Sequence, residues 1–259
     1  LLKVDDNKFW LSIADSDILL WAKGISLGLG LNVKINEPDI YPLAIQGPKA
    51  EDLLVSVFGE KIREVKFYNF GFFNFHGIQQ VIARAGFSKQ GGFEIFLKGY
   101  DLGEKLWDTI WEAGKKFNIS PGCPNLIERI EGGLMSYGND FTSENNPLEC
   151  NLDKFCSEDS SHDFIGKNAL SIIRKDGIKQ KIRGIIFDGG PCPTCAKPFS
   201  VFKGKTQIGQ ITSGIFSPRI KKNVGLSMIL KDYWNIGEEV EVHTPDNMTR
   251  TGVITSLPF

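Results

Sequence analysis

The sequence predicts an α+β unit followed by a small antiparallel β-domain, a barrel or a sandwich. Two observations carry that expectation. Up to about residue 177, strand-like runs alternate with runs of helical period. From 181 onward only short β-like runs separated by turn residues follow. A boundary near 178 therefore divides the chain into parts 1–177 and 178–259. With 259 residues, 41% of them hydrophobic, the chain can fill a sizeable core.

In order, "KFWLSIA" (8–14) alternates and is aromatic-rich, so it reads as a strand. Ser16 then caps a helix whose apolar positions are Ile18, Leu19, Ala22, Ile25 and Leu29. "YPLAIQ" (41–46) is a strand broken by Gly47-Pro48, with Pro48 in the first turn of the next helix. Ala50, Leu53, Leu54, Val57 and Phe58 form that helix's buried stripe, and Gly59 stops it. Strand-like segments follow near 65–75, 78–85 and 93–98, then a helix capped by Asp101 that carries Leu102, Leu106, Ile110 and Phe117. The stretch 120–140 predicts a helix opened by Pro124 and closed by Gly138, with Leu126, Ile130 and Leu134 on one side. Gly132-Gly133 inside it costs ~1 kcal/mol per Gly relative to Ala, which signals close approach of another group. A capped helix over 163–177 joins the two parts, and six β-like runs complete the chain.

Composition excludes several classes of function. Thirty basic and 31 acidic residues give a net charge of −1, so no single-sign field draws nucleic acid or an anionic membrane. No run of about 18 uncharged apolar residues provides a membrane span. The opening "LLKVDDNKFW" is too charged for a signal peptide and lacks an initiator Met, so the true start is expected upstream. Five cysteines, an odd count, do not read as a secreted disulfide framework, and a cytoplasmic chain is expected. Cys192 and Cys195 form a C-x-x-C. A metal site needs a second ligand pair, which the C-x5-C of Cys150 and Cys156 and three scattered histidines do not supply. Pro191, Pro193 and Pro198 make the motif an extended loop, and no metal is predicted.

"ARAGFSKQGGFEIFL" (83–97) raises the question of a phosphate cradle. Its glycine spacing fits neither phosphate-loop pattern, and β-like sequence follows it instead of a helix. It reads as a turn between strands, with Gly91-Gly92 supplying positive φ. Glu94, flanked by Phe93 and Ile95, is a carboxylate in apolar company and calls for a partner.

"AGFSKQGGFEI" (85–95) resembles the T-G-Y-T-G-E-D-G-F-E-I signature of the glycine-cleavage T-protein (aminomethyltransferase) family. "LAIQGPKAEDLL" (43–54) is similar to that family's segment before a helix, and "ERIEGGLMSYGND" (128–140) to its R-L-E-A-G-x-x-L-Y-G-x-D. "FIGKNAL" (164–170), "IGQITSGIFSPRIKKNVGLSMI" (208–229) and the closing "LPF" complete the series in chain order. "ARAGFSKQGGFE", "PGCPNLIERIE", "SYGNDF" and "WLSIADSDILLWAKG" (10–24) resemble the branch of the family that demethylates dimethylsulfoniopropionate.

The resemblance implies a ferredoxin-like unit within a folate-binding fold, then a C-terminal antiparallel β-barrel, with tetrahydrofolate as the cofactor. It carries the pterin-contacting Glu onto Glu94, the ring-facing aromatic onto Phe87 and the signature's Arg onto Arg129. Ser88-Lys89-Gln90 replaces the family's T-G-E. The family's catalytic Asp has no counterpart after Leu1, and residues 1–259 alone are expected to be poorly stable and inactive. The implied reaction is methyl transfer from a small sulfonium to N5 of tetrahydrofolate, with no nucleic acid or membrane partner. A sulfonium suits aromatic surroundings, for which Trp10, Trp21, Phe87, Tyr137 and Phe141 are candidates. Of these, Tyr137 and Trp10 are assigned to the substrate. The alternatives are a glycine-cleavage aminomethyltransferase, a demethylase of another small methylated compound, and a folate-binding member without catalysis.

Overall fold

A computed structural model describes residues 1–13, 17–123, 125–157 and 161–259. The chain forms two compact units, Leu1–Gly86 with Gln90–Gly122, and Phe87–Lys89 with Cys123–Phe259. The barrel begins close to position 178. Residues 123–177 cluster with the barrel, where Ile130 is buried with Ile182, Val224 and Leu226.

The first unit opens with a hairpin of β1 (Leu2–Asp5) and β2 (Lys8–Trp10), shorter than the strand expected over 8–14. Helix α1 (Leu19–Gly28) follows. The expected cap Ser16 lies outside the described residues; the Asp17 carboxylate accepts from the Leu19 amide at 2.7 Å. Strand β3 (Ile40–Gln46), helix α2 (Ala50–Phe58), strands β4 (Phe70–Phe75), β5 (Ile78–Ala83) and β6 (Gly92–Lys98), and helix α3 (Gly103–Gly114) complete the unit. The four strands make one antiparallel sheet in the order β3-β6-β5-β4. One face is covered by α2 and α3. Leu53, Leu54, Leu106 and Ile110 pack there on Ile45, Phe93, Ile95 and Leu97. Fully burying a side chain of this kind contributes roughly 1.5–3 kcal/mol, so this face is the unit's main source of stability. The opposite face is covered in part by the hairpin, whose Leu2, Val4 and Trp10 sit on Val81, Ala83 and Phe96. Asp101 does not cap α3: it lies in a 3₁₀ turn, Tyr100–Leu102, and makes no capping bond.

The second unit contains α4 (Leu126–Glu131), α5 (Lys167–Asp176) and six strands. These are β7 (Gln180–Phe187), β8 (Phe199–Lys203), β9 (Thr206–Ser217), β10 (Lys222–Leu230), β11 (Glu239–His243) and β12 (Thr249–Thr255). They close into an antiparallel barrel in the order β10-β7-β12-β11-β8-β9, a choice that period-two runs leave open. Its core includes Ile185, Phe187, Phe199, Ile211 and Val242.

Helix α4 is far shorter than the one expected over 120–140, and Pro124 lies outside the described residues. Gly132-Gly133 ends the helix instead of running through it. Gly133 has φ +64°, its amide bonds the Ile130 carbonyl at 2.9 Å, and the Leu134 amide reaches back to Arg129 at 3.0 Å. That pair of bonds is a Schellman cap. Both glycines also admit close neighbours, as their cost implied. A Cβ on Gly132 would stand 2.5 Å from Cγ of Lys89, and one on Gly133 3.1 Å from Cβ of Leu257.

Candidate functional site

In the first unit the site is built on the face of the sheet that the hairpin leaves partly open. Glu94 on β6 pairs with Ala44 of β3 and Ala83 of β5, so its carboxylate stands between two alanines. Paired residues of an antiparallel sheet share a face, which puts Glu94 opposite the α2–α3 core. Ala44 and the preceding Pro42 are exposed, so the face is open toward β3. Glu94 is part-buried, and that burial raises its carboxyl above the usual carboxylate range. Among the described residues no hydrogen bond or ion pair reaches it, so the cost of its desolvation is uncompensated.

The turn beside it does two things. Gly91 and Gly92 have φ +77° and +148°, as the turn reading expects. The clearance at the glycines, however, is filled by Gln46. A Cβ on Gly86 would fall 2.0 Å from the Gln46 amide oxygen, and one on Gly92 2.4 Å from the Ile45 carbonyl oxygen. The Gln46 amide donates to the Ala85 carbonyl at 3.1 Å and the Phe93 carbonyl at 3.3 Å, tying β3 to both ends of the turn. Sequence reasoning missed Gln46, although a polar residue closing an apolar strand against a glycine turn was the available signal. Gly92→Ala is expected to cost roughly 1–3 kcal/mol in urea denaturation, because the neighbour is backbone and φ is disfavoured. A loss below 0.5 kcal/mol, the ordinary range for a surface change, contradicts the close packing.

Trp10 lies on the same face as Glu94, but its ring is committed to packing. It stands 6.2 Å from Phe96 and within the hairpin cluster. A shallow concavity near it is lined by Lys8, Trp10, Phe72, Gln79, Val81 and Phe96, among others, and does not include Glu94.

Phe87, Arg129 and Tyr137, which the sequence also singles out, lie in the second unit. Phe87 is 43% exposed in the turn segment. Tyr137 is 64% exposed and meets Phe141 edge to face, with ring centroids 5.5 Å apart. Arg129 is buried. Its Nη1 donates to the Leu134 carbonyl at 2.8 Å and to Asp140 at 2.7 Å, and its Nη2 donates to the Ser213 hydroxyl at 2.6 Å. A guanidinium held this way supports the loop and barrel wall around it. Sequence reasoning quoted Asp140 only as part of a motif; its side chain is fully buried.

Cys192 and Cys195 are free thiols in the loop between β7 and β8, packed against the barrel core. Burial pushes both thiols up, leaving less thiolate for nucleophilic or redox work. Alkylation at pH 8 should therefore label exposed Cys123 ahead of both; equal labelling would show that the loop opens. Among the described residues no group of His, Cys, Asp or Glu can hold a metal ion. No described helix is long and apolar enough to cross a membrane.

The chain is 45% identical over 247 residues to a dimethylsulfoniopropionate demethylase of Ruegeria pomeroyi, covering 95% of this chain and 67% of that protein. It is 32% identical over 247 residues to an aminomethyltransferase of a Thermoanaerobacter species, covering 93% of this chain and 66% of the relative. It therefore spans about two thirds of the length of these relatives. Among solved structures, a glycine cleavage system aminomethyltransferase T from Bartonella henselae shares the fold. The TM-score is 0.70 at 21% identity, over 92% of this chain and 64% of that one. A family model for the GCVT N-terminal domain matches residues 1–160, and a model for the glycine cleavage T-protein C-terminal barrel domain matches 180–259. Matched in this order across both parts of its length, the chain belongs to the glycine-cleavage T-protein family.

Proposed function

We propose that the protein is a tetrahydrofolate-dependent demethylase of the cytoplasm. In this reading it transfers a methyl group from dimethylsulfoniopropionate to tetrahydrofolate, giving methylmercaptopropionate and 5-methyltetrahydrofolate. The observation that carries the reading is Glu94, a part-buried carboxylate with no partner among the described residues, set between two alanines on an open sheet face. The chemistry of that setting fits a pterin. A carboxylate accepts two parallel bonds from an amino-pyrimidine edge, and such charge-assisted bonds are the strong kind. Small neighbours leave room for a flat ring. The 45% identity to a protein named for this demethylation favours the sulfonium donor over the aminomethyl one.

Tetrahydrofolate supplies N5 as the methyl acceptor. The chain's residues bind and orient. Glu94 fixes the pyrimidine edge, and Gln46 keeps the turn closed behind it. A sulfonium already carries the charge that its leaving thioether gives up, so alignment of donor and acceptor is the main task. Tyr137 with Phe141 supplies aromatic surface for that cation.

The test is calorimetric titration with tetrahydrofolate, followed by assay of 5-methyltetrahydrofolate formation. It uses the protein with whatever sequence flanks residues 1–259 in its natural chain. Folate binding with methyl transfer from dimethylsulfoniopropionate is expected. Binding with no methyl product from any sulfonium would sink the demethylase reading. It would leave the aminomethyltransferase, separated by assay with an aminomethyl donor, or a folate-binding protein without catalysis.

A further inference from the structure

The loop 132–141 is held by a buried polar network whose centre is Asp140. One carboxylate oxygen, Oδ2, accepts from Arg129 Nη1 at 2.7 Å and from the Ser136 amide at 2.8 Å. The other, Oδ1, accepts from the Thr212 hydroxyl at 2.8 Å and the Ser213 hydroxyl at 2.5 Å, both on β9. Arg129 in turn holds the Leu134 carbonyl, and the Asn139 amide donates to the Thr212 carbonyl at 3.0 Å. The loop is thus fastened to the barrel wall at its entry, through Leu134 and Ser136, and at its exit, through Asn139 and Asp140.

Between these fastenings the chain turns outward. Gly138 has φ +83° and its amide bonds the Phe141 carbonyl at 2.8 Å. Tyr137 and Phe141, brought side by side by a β-bridge, are what this turn presents. An exposed tyrosine costs apolar hydration, and a buried ion pair with four accepted bonds is an expensive way to hold a surface loop for stability alone. A fixed aromatic edge, in contrast, is what recognition of a cation requires, since the attraction depends on where the ring face points.

We infer that Asp140 is a positioning residue for the methyl donor. Acting through Arg129, the Ser136 amide and β9, it fixes the Tyr137–Phe141 aromatic pair that receives the cationic sulfonium. This rests on the demethylase reading for the identity of the ligand, but the mechanical link does not. Asp140→Asn keeps the volume and replaces one oxygen by an N–H donor. Whichever way the amide turns, it faces donors on both sides, Arg129 and Ser136 on one, Thr212 and Ser213 on the other.

The link is read first without ligand. The protein is labelled with 3-fluorotyrosine, and the Tyr137 line, one of five tyrosines, is assigned with Tyr137→Phe. Asp140→Asn is expected to shift or split that line and leave the other four in place. An unmoved Tyr137 line overturns the inference, whatever the enzyme does. If Asp140→Asn does not fold, Thr212→Val with Ser213→Ala strips the Oδ1 partners and keeps the ion pair; the same line must move, and an unmoved line again overturns the inference. The second reading is kinetic. Asp140→Asn is expected to raise KM for dimethylsulfoniopropionate about tenfold, the fold-change of a displaced cation–aromatic contact, with kcat at saturation changed far less. In a Tyr137→Leu/Phe141→Leu background the same change should add nothing, because the pair through which it acts is gone. A full additional rise in KM overturns the inference. Failure of the wild type to transfer methyl at all counts against the demethylase reading and leaves the fluorine result to decide the link.

Discussion

Glu94→Gln is expected to lower the affinity for tetrahydrofolate by on the order of 10–100-fold and, at neutral pH, to make the ligand-free protein more stable. Both effects have one cause. The carboxylate is desolvated on the sheet face with no donor to offset the cost, and its carboxyl is raised for that reason. Below the carboxyl's unfolded-state range, folded and unfolded states are both protonated and Glu94 contributes no difference. As pH rises through the raised folded value, the folded state must ionise a group it disfavours, and stability is lost relative to acid. A neutral amide of the same shape removes that loss, so the gain in melting temperature should be present at neutral pH and vanish on acidification. The ligand reverses the preference. Bonds to a charged acceptor are worth ~1.5–3 kcal/mol each, and 1.4 kcal/mol is about tenfold in affinity. Wild-type affinity should therefore fall as pH drops through the Glu94 titration, while the weak binding of the variant stays flat. Scanning calorimetry and titration across pH read both. A variant that binds folate as well as the wild type removes Glu94 from the site, and a stability difference independent of pH removes the electrostatic account.

What could be read from the sequence divides along physical lines. The six barrel strands were legible because each is a short β-like run closed by turn residues, such as "EVEVH" and "TGVIT". Glu94 was legible for the opposite reason, as a charge where the pattern demands none. Helix α4 was misread because Leu126, Ile130 and Leu134 keep a spacing of four, while the Schellman cap at Gly133 is a matter of φ, which spacing does not carry. The grouping of residues 123–177 with the barrel was not legible, because the packing of α4 beside the barrel joins residues far apart in sequence. Gln46 and Asp140 were missed because their partners come from long range. Gln46 answers to Ala85 and Phe93, and Asp140 to Thr212 and Ser213, more than 70 residues away.

Arg129→Ala is expected to lose roughly 3–5 kcal/mol of stability, the cost of leaving one member of a buried pair without the other. Its side chain is 8% exposed and that of Asp140 not at all, so water cannot replace the guanidinium. The truncation also frees the Leu134 carbonyl, which the guanidinium satisfies beside the helix cap. A surface salt bridge with Glu128 or Glu131 would contribute only ~0–1 kcal/mol, so the size of the loss separates the two arrangements. Replacing both partners is the sharper comparison. In Arg129→Met/Asp140→Leu no charge is left buried, and much of the stability should return, although the Ser136 amide and the two β9 hydroxyls lose an acceptor. Urea denaturation of the single and double variants measures this directly. A single variant within 1 kcal/mol of wild type would mean that the pair is hydrated in solution. A double variant no better than the single would mean that the loop depends on the carboxylate's other bonds more than on its charge.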